Sequence, residues 1–147
     1  MRVISLVPSL TLTLAELGLD KSQLVGRTPW CIHPELFVQG VPVVGGTKTP
    51  NLNKIRNAQP DLVILDREEN PKEFYEALIE SGIEVYVSTV EHPSEVPEML
   101  LELGQLLKLV PKAKELADAI QQELATKFET GPTVLPMIWH DPLMAVA

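Results

Sequence analysis

Short apolar runs alternate along this chain with amphipathic stretches of about ten residues, an order that few folds accept. Residues 3–7, 24–27, 41–44, 62–65 and 85–87 each read as a short strand rich in Val, Ile and Leu. Between them lie helical patterns with their own punctuation. Pro8-Ser9 opens the first helix, with Ser9 as N-cap, Leu10, Leu14, Ala15 and Leu17 facing inward, and Gly18 at its end. Asn51 caps a short helix that stops before Pro60. Asn70-Pro71-Lys72-Glu73 supplies a capping Asn, a proline at the first helical position and a glutamate reaching back, and that helix ends at Gly82. Ser94 opens another, with Val96, Met99, Leu100, Leu103, Leu106 and Leu107 on one face. Apolar strands joined by helices predict an α/β fold, a parallel Rossmann-like sheet with right-handed crossovers. Ligands of such sheets meet the loops at the carboxyl ends of the strands. Here those loops are Pro8-Ser9, 28–33, 45–48, 66–70 and 89–93, and they are predicted to share one edge.

The stretch PKAKELADAIQQELATKFE, residues 111–129, has a different character. Leu116, Ala117, Ile120, Leu124 and Phe128 recur at spacings of three and four, Pro111 suits a helix start, and Gly131-Pro132 stops the chain beyond. At ~1.5 Å per residue the helix spans roughly 25 Å, the width of a small domain. A strand over 134–138 and a turn cannot bury a core of their own. The reading is therefore an α/β lobe over 1–110, a rigid strut over 111–130, and the beginning of a second lobe over 131–147.

The 147 residues carry a net charge of -8, and no basic stripe exists to neutralise phosphates, which excludes nucleic acid and anionic membrane surfaces as partners. A single cysteine, Cys31, rules out an internal disulfide. No apolar run approaches the ~18 residues of a membrane span. Met1-Arg2 leads straight into a strand without a leader pattern, so the chain is read as cytoplasmic or as an exported protein whose leader has been removed.

Several groups carry chemistry. Trp30-Cys31-Ile32-His33 puts a soft sulfur and an imidazole two residues apart, beside an aromatic ring able to stack on a planar ligand. Two ligands do not close a coordination sphere, and a buried thiol beside a capping imidazole explains the same residues. Gly45-Gly46-Thr47-Lys48 lacks the spacing of a phosphate loop, so its glycines are read as a turn allowing close approach by a ligand. Asp66, Glu68, Glu69 and Glu73 concentrate carboxylates before a helix, where they suit the helix dipole or an arginine of another protein. A small α/β enzyme using Cys31, His33 and the acids of 66–69 on a soluble metabolite is the alternative reading. It lacks a complete catalytic set.

RVISLVPSLTLTLAELGL, VVGGTKTPNLNKIRNAQPDLVILDREEN, ALIESGIEVYV and the long helix together resemble the helical-backbone substrate-binding proteins of ABC importers. The resemblance runs along essentially the whole chain and is nearest to the branch of vitamin B12, iron–siderophore and haem receptors. It implies two α/β lobes joined by one long helix, a periplasmic or extracellular location, no catalysis, and a metal chelate or corrinoid held between the lobes. Carried over position by position, the cleft is lined by Ser9, Trp30, Cys31, His33, Thr47, Lys48, Asp66, Glu68 and Glu69, with Trp139 facing them from the second lobe. Such receptors dock their permease through a glutamate near a helix start in each lobe. Glu73 is the match here, with Lys72 aligning almost as well. A second lobe of similar size is implied, so the chain is expected to be part of a longer protein or a homodimer completed by exchange.

Overall fold

The computed structural model describes residues 1–126, Gly131, 137–140 and 143–145, the last two stretches as backbone only. Its centre is a four-stranded parallel sheet in the order β2-β1-β3-β4. The strands are β1 (Val3–Ser5), β2 (Leu24–Arg27), β3 (Leu62–Asp66) and β4 (Glu84–Ser88). Both faces of the inner strands are covered, which is why they read as unbroken apolar runs rather than alternating ones. Val3, Leu62 and Ile64 join one core with Leu10, Leu14, Leu100 and Leu103. Ile4, Val63 and Leu65 join the other with Ile55 and Leu78. Each such side chain contributes about 1.5–3 kcal/mol by leaving water.

The first core lies under α1 (Pro8–Glu16), α5 (Val96–Leu107) and α6 (Val110–Ala125), and the second under α3 (Leu52–Asn57) and α4 (Lys72–Glu80). A short α2 (Glu35–Val38) follows the loop after β2. Among the described residues no helix is long and apolar enough to cross a membrane.

Local punctuation departs from expectation in places. Asn51 caps α3, its side chain accepting from the Lys54 amide at 3.0 Å. Ser9 does not cap α1: Val7 holds that position and Pro8 starts the helix, leaving Ser9 in its first turn. The Asn70 side chain is likewise turned away from α4, whose N-cap is Pro71. Ser94 falls within a 3₁₀ turn over Pro93–Glu95, and the Glu95 carboxylate accepts from the Glu91 and His92 amides instead. Residues 41–44 form no full strand. They run beside β2 through one parallel bridge, Arg27 to Val43, with bonds from the Arg27 amide to Pro42 and from the Val44 amide to Arg27. A proline without an N–H inside the run explains the interrupted ladder.

The long helix begins against the lobe: Ala113 and Ala117 are buried in the first core, and Leu116 and Ile120 pack against it. Gly104 of α5 permits this contact, because a Cβ there collides with the Ala113 methyl. Residues 121–126 are all exposed, Leu124 included, while Phe128 lies outside the described residues. Of the strand expected over 134–138, residues 134–136 lie outside the described residues; β5 (Met137–His140) pairs antiparallel with β6 (Leu143–Ala145) in a sheet separate from the first.

Candidate ligand edge

Because all four strands of the main sheet run parallel, their carboxyl ends at Ser5, Arg27, Asp66 and Ser88 open onto one edge. The loops there are tied to one another through buried polar groups. Asn70, 7% exposed, is the joint. Its amide nitrogen donates to the Thr47 carbonyl at 2.9 Å and to the Leu6 carbonyl at 3.5 Å, while its oxygen accepts from the Asp66 amide at 2.9 Å. One side chain thus links the chain after β1, the 45–48 turn and the loop after β3. A buried donor or acceptor left unmatched costs about 1–3 kcal/mol, so this arrangement resists distortion.

Further ties extend the edge in both directions. Lys48 donates from Nζ to the Glu68 carbonyl. Arg67, exposed, pairs with Glu91 beyond β4 and with Glu68 beside it. On the β2 side, Arg27 donates from Nη1 to the carbonyls of Thr28 (3.0 Å) and Cys31 (3.3 Å), curling the 28–33 loop over its own strand. Beneath that loop, Thr28 Oγ1 lies 3.1 Å from Cys31 Sγ, and Thr11 donates to Ser5 and Val7. Gly45 adopts φ 129°, and its missing Cβ makes room for residues 49–51 of its own chain rather than for a ligand.

The named site residues therefore occupy different situations. Trp30 stands 67% exposed on the edge, and His33 is exposed before the cis bond to Pro34. Cys31 is fully buried, its sulfur directed at the Ser5 carbonyl 3.9 Å away, so it lines no surface. Thr47 is buried with its carbonyl held by Asn70, and Lys48 is exposed. The Asp66 carboxylate is occupied in shaping its own loop, accepting from the Glu68 and Glu69 amides at 2.9 and 3.2 Å. Glu68 and Glu69 project into solvent, as does Ser9. Glu73 is exposed in the first turn of α4. Trp139 is on β5, and its side chain lies outside the described residues. Among the described residues no group of three His, Cys, Asp or Glu is placed to hold a metal ion. Sequence reasoning missed Asn70 and Arg67 as organisers of this edge. The signal for Asn70 was a polar residue four places past a buried strand, and the proline after it disguised it as a helix cap.

The described fold is a parallel α/β lobe whose carboxyl-end loops are joined by buried polar bonds. The chain matches the periplasmic binding protein family over residues 3–126 and belongs to it. It is 28% identical over 130 residues to a vitamin B12-binding protein of Pectobacterium carotovorum, covering 88% of this chain and 46% of that one. A periplasmic heme binding protein from Pseudomonas aeruginosa superposes with a TM-score of 0.75 at 25% identity, over 84% of this chain and 44% of that one. The periplasmic vitamin B12 binding protein of Vibrio cholerae shares the fold, with a TM-score of 0.81 at 23% identity over 97% and 57% of the two chains. The chain thus spans about half the length of these relatives.

Proposed function

We propose that the chain acts as the ligand-binding lobe of an ABC-importer receptor in the periplasm, with its strand-end loops as one wall of a cleft. Trp30, His33, Thr47, Lys48, Glu68, Glu69 and Ser9 present that wall to the ligand. Cys31 and Asp66 shape it from beneath. The bound molecule is a corrinoid or a metal chelate, cobalamin, haem or a ferric siderophore, with the ring of Trp30 offering a flat apolar face to a macrocycle. The observation that carries this reading is the combination of an exposed indole with a loop edge already locked by Asn70, since a prepaid edge loses little freedom when ligand arrives.

In this reading the second wall comes from a lobe that begins at residue 131, with Trp139 contributing to it, and the segment 111–130 leads from one lobe to the other. A homodimer exchanging the 131–147 segment is the other way to supply that wall, and sedimentation distinguishes the two. Glu73, solvated at the start of α4, is the permease contact. Membership in the periplasmic binding protein family supports a binder rather than an enzyme. The buried Cys31 sulfur fits that, having no path to a metabolite.

The test is a fluorescence titration of the Trp139→Phe chain, in which Trp30 is the sole indole, against cyanocobalamin, haemin and a ferric siderophore. Saturable quenching by one of them supports the ligand class. One wall buries about half of a ligand where a closed cleft buries 70–90% or more, so the affinity of this chain alone is expected to be weak. An emission unchanged by all three removes the class.

A further inference from the structure

The outer edge of β4 has no strand partner among the described residues, and its Val85, Tyr86 and Val87 are half-buried where those of β3 are fully buried. Unequal grooves flank it. On the α4 side lies a mainly apolar groove of about 360 Å³ between Leu65, Pro71, Tyr75 and Val87, which Lys72 and, towards the carboxyl-end edge, Asp66, Arg67 and Asn70 also line. On the α5 side a groove of about 300 Å³ runs between Tyr86, Met99 and the carboxylates of Glu95, Glu98 and Glu102. Val87 borders both. Glu98 and Glu102 are exposed and have no cationic partner among the described residues; Glu102 accepts only the Tyr86 hydroxyl, at 2.9 Å.

We propose that this edge accepts an extended segment of another polypeptide in which apolar residues alternate with Lys or Arg. Successive side chains of a strand point to opposite faces, so a strand added beside β4 sends every second residue towards each groove. Apolar side chains enter the Tyr75–Val87 groove and cationic ones meet Glu98 and Glu102. The outer backbone groups of β4, without a strand partner among the described residues, supply the ladder. Charge argues against a second copy of this chain as the occupant. Two β4 strands paired antiparallel about a two-fold axis keep both α5 helices on one face, setting Glu98 and Glu102 against their own images. The β4 strand itself carries Glu84 and no cation to offset them.

The test uses the intact chain and labelled synthetic peptides, read by fluorescence anisotropy at physiological salt. An alternating Lys-Val peptide is expected to bind saturably. A peptide of the same composition with its lysines and valines in separate blocks is expected to bind about tenfold more weakly. The double variant Glu98→Lys, Glu102→Lys is expected to weaken the alternating peptide about tenfold or more. Both positions are exposed, and circular dichroism confirms that the variant is folded. N-methylation of alternate peptide amides separates a strand from a loose counter-ion: methylating one set abolishes binding and methylating the other does not. Equal binding of the blocked and alternating peptides, or tolerance of both methylation patterns, overturns the proposal.

Discussion

Asn70 shows how one amide can organise a surface. Its side chain satisfies the Thr47 and Leu6 carbonyls and the Asp66 amide while almost wholly removed from water. Asn70→Ala leaves those groups unmatched, and urea unfolding is expected to show a loss of about 1–3 kcal/mol. Asn70→Asp is expected to be no rescue, because a carboxylate cannot donate to two carbonyls. Cys31 offers a second check at this scale. Its thiol has no exposed surface and sits between Thr28 and the Ser5 carbonyl. A thiol reagent is expected to label the native protein only at the rate of local opening, and to label the urea-unfolded chain at once. Fast stoichiometric labelling of the native protein contradicts this placement.

At the scale of elements, the α5–α6 contact depends on a missing side chain. A methyl at Gly104 collides with that of Ala113, so Gly104→Ala is expected to cost about 1–3 kcal/mol in thermal or urea melts. Adding Ala113→Gly returns the space, and the double variant is expected to recover part of the loss. The start of α5 carries a pH signature. Amide bonds from Glu91 and then His92 hold the Glu95 carboxyl below its ordinary value near 4.5. A depressed value stabilises the fold above pH 4.5, and that contribution fades as pH falls through the folded-state value. Glu95→Gln is therefore expected to flatten the acid limb of the stability–pH curve, as measured by melting at stepped pH. The elements most legible in the sequence were those whose signals agreed. Residues 62–65 are apolar on both faces, and Asn51 caps its helix with no rival use for its side chain. Where a polar side chain had a tertiary alternative, local rules failed. Asn70 serves carbonyls far along the chain instead of its own helix, and Pro42 breaks the ladder that Val41, Val43 and Val44 suggest. Those outcomes depend on neighbours that sequence spacing does not display.

At the scale of the lobe, parallel strand direction gathers dispersed loops into a single edge, and the buried bonds of Asn70 join three of its segments. The long helix docks through Ala113 and Ala117, and its residues 121–125 are exposed. In the proposed function, ligand meets the carboxyl-end loops. Amide chemical-shift mapping of the isotopically labelled chain during titration with cyanocobalamin, haemin and a ferric siderophore measures it most directly. One of them is expected to shift resonances clustered at Ser9, Trp30–His33, Thr47–Lys48 and Glu68–Glu69. Shifts confined to the opposite edge, around Lys21, Gly40, Gln59 and Gly82, or no shifts with any of the three, contradict it.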